Sequence, residues 1–124
     1  MLDAYWPWAR DNTAWRLVGE SVEITTPYLD RHNDFLQVYV SRCDSGYVLC
    51  DDGGTLDDLR ASGYDIDAPE KRVLLETIVN RLGVERTDGG VLRVVATEAN
   101  FSAKQHSLLQ AMLAIGNLPI FDGG

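Results

Sequence analysis

Lysine and histidine are scarce in this chain: Lys71, Lys104, His32 and His106 are the only examples among 124 residues. Neither lysine follows an acid on a strand, so the positioned cation that metal-dependent phosphate cleavage usually employs is missing. The histidines form no i, i+4 ligand pair, which removes a common zinc pattern. Cysteine is limited to Cys43 and Cys50, with no C-x-x-C. A turn over residues 44–46 carries Cys50 past the position opposite Cys43, so both are expected to be structural thiols rather than a disulfide. No apolar run approaches the ~18 residues of a membrane span, and no charged-then-apolar leader opens the sequence. A soluble, cytoplasmic protein is therefore expected. The sequence has no G-x-S-x-G elbow, and Asp51-Asp52-Gly53-Gly54 lacks the Lys-Ser/Thr that completes a phosphate-cradling loop. No internal repeat, low-complexity tract or interdomain linker is visible. One domain over residues 1–124 is expected, with no cofactor.

What remains is ordinary globular material, 45% hydrophobic and 24% charged, long enough to bury roughly two thirds of its unfolded surface. The charge is unevenly spread. Residues 1–50 carry seven acids and four bases, residues 51–70 seven acids and one base, and residues 71–124 five acids and six bases. These give −3, −6 and +1, which sum to the net −8 of the whole chain. Such a field repels phosphate backbones and attracts basic partners, so direct nucleic-acid binding is disfavoured.

Pro7 suits a first helical turn, predicting a short helix over 8–15 with Trp8 and Trp15 on one face. Trp15 is expected to plug one end of the core, while Trp6, beside Pro7, is a candidate exposed anchor for a partner. "LVGESVEITT" alternates Val22, Ile24 and Thr26 after a turn and predicts a strand ended by Pro27, with "YLDRHND" as a loop. "FLQVYV" and "GYVLC" flank the turn sequence "CDSG" and predict a hairpin of 35–42 with 47–51. "TLDDLRAS" predicts a short helix stopped by Gly63. "PEKRVLLETIVNRL" predicts a longer one, with Leu75, Ile78, Val79 and Leu82 on one face and Gly83 closing it. "VERT-DGG-VLRVVA" reads as a second hairpin. A last helix over about 99–115 aligns Phe101, Leu108, Met112 and Ile115. His106 falls at the edge of that stripe as a packing residue, and His32 is assigned to hydrogen bonding within its loop. The order predicts an α+β fold, an antiparallel sheet of hairpins packed against three or four helices.

The acidic stretch 51–70 can be tested against three chemistries. An EF-hand fails at once: from Asp51 the third and fifth positions are Gly53 and Thr55, and from Asp65 the fifth is Pro69. Helix capping absorbs more of it, with Thr55 and Asp58 spaced as a capping box, Asp57 in the same first turn, and Asp67 with Glu70 before the next helix. Asp51, Asp52 and Asp65 are left over. A metal-binding alternative would draw Asp34, Asp51 and Asp52 to one divalent ion at the strand ends.

The ordered set Thr26-Pro27, Asn33-Asp34, Asp51-Asp52-Gly53 and Thr55-Leu56 to Leu59 resembles the bacterial and phage domain family DUF1828. The helix–hairpin–helix layout that follows is also similar, extending the resemblance over about 15–118 and leaving the Trp-rich residues 1–14 outside. That resemblance implies one compact domain and a bacterial or phage source. It assigns no catalytic residue.

Three functions are compatible with these features. The preferred expectation is a non-enzymatic module whose Asp51, Asp52, Asp57, Asp58, Asp65, Asp67 and Glu70, with Trp6, engage a protein partner bearing a basic surface. If the source is a phage, its natural form is an inhibitor that imitates nucleic acid on a nucleic-acid-binding complex, in the manner of anti-CRISPR proteins. The alternatives are a metal-dependent phosphoesterase built on Asp34, Asp51 and Asp52, and an accessory or oligomerising domain.

Overall fold

In the computed structural model, which describes residues 13–121, six strands form one sheet. They are β1 (Ala14–Val18), β2 (Ser21–Leu29), β3 (Phe35–Cys43), β4 (Gly46–Cys50), β5 (Glu85–Arg86) and β6 (Leu92–Ala96). The spatial order is β1-β2-β3-β4-β6-β5, and every pairing is antiparallel. Helices α1 (Gly54–Ala61), α2 (Pro69–Leu82) and α3 (Phe101–Gly116) pack together, with α2 and α3 over the β4–β6 end, and a single turn, α4 (Leu118–Phe121), follows. The fold is α+β, as the hairpin pattern predicts.

Alternation along the strands decides the core. Leu36, Val38 and Val40 of β3, Leu49 of β4, and Leu92, Val94 and Ala96 of β6 share the helix-covered face and are buried. They meet Leu56 and Leu59 of α1, Leu75 and Val79 of α2, and Leu108, Met112 and Ile115 of α3 in one hydrophobic cluster. Two helices end alike. Gly63 and Gly83 have φ of +85° and +69°, and the following residues, Tyr64 and Val84, donate their N–H groups back to Leu59 and Val79. Both endings are the glycine-terminated motif that satisfies the last helical carbonyls. Gly46 is required for a different reason: a Cβ there would lie 2.2 Å from the Ala96 carbonyl oxygen, inside the β4–β6 pairing.

The structure departs from the sequence reading at several points of the fold. Residues 14 and 15, assigned to the tail of a helix over 8–15, belong to strand β1, Thr13 before them is not helical, and residues 8–12 lie outside the described residues. Gly19, with φ +61°, opens the two-residue turn that joins β1 to β2 and matches the twist such hairpins need. Pro27 does not end β2. The strand carries it by a register shift between Thr25 and Leu29, where the buried Thr26 hydroxyl donates to the Leu36 carbonyl at 2.9 Å. The last helix begins at Phe101 rather than about 99, because Thr97 and Asn100 first bond each other's backbone N–H groups. Finally, Trp15 is 70% exposed, not a core plug, and His106 is exposed rather than packed.

Candidate functional site

Asp51 and Asp52 are neighbours with opposite environments. Asp51 is only 4% exposed. One of its carboxylate oxygens accepts from the N–H groups of Gly53 (2.8 Å) and Leu92 (3.0 Å), and the other accepts from Thr55 N–H (3.1 Å). An anion that takes three backbone donors at the start of a helix is a structural brace between β6 and α1. This corrects its assignment to a partner-binding surface: the carboxylate is spent on the turn. Asp52 instead projects into solvent from a left-handed backbone, φ +57°.

Asp58 is also diverted. The expected capping box does not form, since α1 starts from Gly53 with no side-chain cap. Asp58 is instead clasped by Arg31 Nη1 at 2.6 Å and His32 Nε2 at 2.9 Å. Arg31 is itself largely buried, and it also donates to the Gly116 carbonyl (2.9 Å) and to Ser62 Oγ (2.6 Å). One guanidinium thereby ties the 30–34 turn to both α1 and the end of α3. The second expected cap is absent as well. Ala68 precedes α2 without a side-chain bond, Pro69 opens the helix, and Asp65 accepts from the Asp67 N–H.

Five of the seven acids therefore face water: Asp52, Asp57, Asp65, Asp67 and Glu70 are all exposed. Asp57 makes a 3.9 Å contact to Arg60, and its side chain is 77% exposed. Such a pair is worth little and leaves the charge displayed. Trp6, the proposed aromatic anchor, lies outside the described residues.

The metal-binding trio is not assembled. Tyr39 pairs with Cys50, so Asp51 is level with Val38, while Asp34, just before β3, lies four residues farther along the chain, about 13 Å if extended. Asp34 is exposed, and its N–H donates to Asp30 Oδ1. Among the described residues, no group of three or more His, Cys, Asp or Glu side chains is placed to hold a metal ion.

The face of the sheet opposite α1, α2 and α3 carries a polar row that sequence reasoning missed. Strand pairing aligns Arg16, Glu23, Tyr39, Cys50, Arg93 and Glu85 straight across all six strands. Arg16 Nε donates to Glu23 at 2.7 Å, and Arg93 pairs with Glu85. The Arg16 hydrogen bond holds the Glu23 carboxyl below its ordinary range, and Glu23 in turn raises Arg16. Burial pushes the Tyr39 hydroxyl up, reinforced by Glu23. Burial likewise raises the Cys50 thiol, with Asp51 and Asp52 adding to it, so Cys50 is a poor nucleophile. Cys43 and Cys50 are both free, opposite Gly46 and Tyr39.

Where the start of β3 meets α1 and α3 lies a cleft of about 210 Å³, bordered by Phe35, Gln37, Tyr39, Thr55, Asp58 and Met112. It is smaller than the ~300 Å³ at which small-molecule sites begin, and its charged wall, Arg31 with Asp58, is already internally bonded.

Residues 26–115 match the family described as "Domain of unknown function DUF1828". No curated protein and no solved structure matches the chain significantly. Among the described residues, no helix is long and apolar enough to cross a membrane.

Proposed function

The chain belongs to the DUF1828 family, and from that premise we propose that it is a non-enzymatic protein-binding module whose acidic segment seats on a basic partner surface. The observation that carries this reading is the exposure of Asp52, Asp57, Asp65, Asp67 and Glu70 within twenty residues of net charge −6. Carboxylates turned to water keep their hydration until a partner arrives, and their summed field accelerates encounter with a cationic surface at low salt. In its sharper form the partner is a nucleic-acid-binding complex, and the carboxylates stand in for phosphates in its groove, as an anti-CRISPR-type inhibitor would. Asp51 and Asp58 have no part in that surface, because backbone donors and the Arg31–His32 clasp occupy them.

The test is binding to a nuclease or effector complex, measured against salt, with and without its nucleic acid. Affinity should fall steeply as salt rises. It should fall again when Asp57, Asp65, Asp67 and Glu70 are changed together to their amides, and nucleic acid should compete. Binding indifferent to both salt and neutralisation would remove the electrostatic reading.

A further inference from the structure

The apolar rows of the helix-covered face do not stop where the helices stop. Leu49, Val40 and Val22 are in register and lead outward to Leu17; Val38 and Ile24 lead to Trp15. Leu17 and Trp15 are 71% and 70% exposed. Beside them, Val22, Ile24, Val40, Tyr47 and Phe101, with Glu98, line an open and mainly apolar groove of about 460 Å³. Among the described residues, no strand pairs with the outer edge of β1. The closing pair of a two-residue hairpin is hydrogen-bonded, so Val18, Arg16 and Ala14 turn their peptide groups toward β2. The N–H and C=O groups of Trp15 and Leu17 therefore point outward. An edge strand with outward peptide groups and large apolar side chains is a template for another strand.

We propose that this edge is a homodimer interface: a second copy adds its own β1 antiparallel, about a two-fold axis through Arg16. The strand is self-complementary in that register. Trp15 opposes Leu17 of the second copy and Leu17 opposes its Trp15, both as hydrogen-bonded pairs, giving four new backbone bonds. Each sheet's apolar rows then continue into the other: the second Trp15 extends the Leu17–Val22–Val40 row, and the second Leu17 extends the Trp15–Ile24–Val38 row. On the opposite face, Ala14 meets Val18, a small side chain against a larger one. The two Arg16 side chains meet at the axis, and each keeps its own Glu23 at 2.7 Å, which offsets the like-charge contact. Trp15 alone brings on the order of 150 Å² per copy. With Leu17, Val18, the groove wall and two five-residue backbones, the pair buries on the order of 1,000 Å², where specific association begins. This interface is separate from the acidic segment and stands independently of the function proposed for it.

The test is the mass of the full-length chain by analytical ultracentrifugation, from about 1 μM to about 300 μM. The wild type should pass from monomer to dimer over that range. Leu17→Lys, at a side chain already in solvent, should leave circular dichroism unchanged and raise the dissociation constant about a hundredfold or more. A second measurement fixes the register: in a Cys43→Ser, Cys50→Ser background, Arg16→Cys should cross-link to itself on mild oxidation. Val18→Cys should not, since it faces Ala14 of the second copy. A wild type that stays monomeric throughout overturns the proposal and assigns the face to a different occupant. A dimer that survives Leu17→Lys overturns it too, and a dimer that cross-links through Val18→Cys instead of Arg16→Cys overturns the two-fold register.

Discussion

In the β3–β4 hairpin, Val38, Val40 and Leu49 point to the helix-covered face and are buried; in the β1–β2 hairpin, Trp15 and Leu17 stand on that same face, in the same rows, and are exposed. Both hairpins alternate apolar and polar residues, and both close through two-residue turns. The layer above differs: α2 packs on β5 and α3 on β4 and β6, and neither packs extensively on β1. Alternation therefore announces which side of a strand is apolar, whereas burial depends on what the rest of the chain lays across it.

The largest expected effect comes from breaking the covered side. Leu49→Ala should lower the unfolding free energy by about 2–5 kcal/mol, read from urea denaturation, because α3 and the sheet cannot close fully on the cavity. Next is the brace. Asp51→Ala strips an acceptor from three backbone N–H groups and should cost roughly 3 kcal/mol by the same measurement.

A third prediction concerns acid stability at the exposed hairpin. Glu23, ordinarily near 4.5, is held lower in the folded protein by Arg16. Its contribution is thus fully present above the unfolded value and is lost as pH falls through the folded one. The urea midpoint of the wild type should decline through that acidic window, and Arg16→Gln should flatten the decline. An unchanged slope would show that the pair does not set it. The smallest effect sharpens the contrast from the other side. Leu17→Ala, measured on dilute monomer, should change stability by no more than about 0.5 kcal/mol, because the side chain has no covering layer to lose.

Much of this architecture was legible in the sequence. Strands β3, β4 and β6 are dense in β-branched and aromatic residues, and α2 and α3 carry a helical stripe long enough to be unambiguous. Strand β1 escaped because Pro7 and two tryptophans seven apart imitate a helical face, while the Gly19 turn signals only locally. Pro27 imitates a strand end, because the bulge that accommodates it is stabilised by the Thr26 hydroxyl on Leu36, ten residues away. The acidic segment was sorted by spacing, and spacing misplaced Asp58. Its partners, Arg31 and His32, are 27 and 26 residues upstream, and no local pattern encodes that meeting. Asp51 was left over for the same reason, since one of its three donors belongs to Leu92.

That last bond has a bearing on synthesis. The carboxylate closes a loop of 41 residues, so a nascent chain that has released only as far as α2 holds an incomplete brace, with an acceptor position still open to water. The first turn of α1 gains its full complement of contacts only when β6 has left the ribosome and docked beside β4. Translational pausing before β6 has emerged and docked should therefore expose this turn to proteases, while a chain with β6 paired to β4 should resist them.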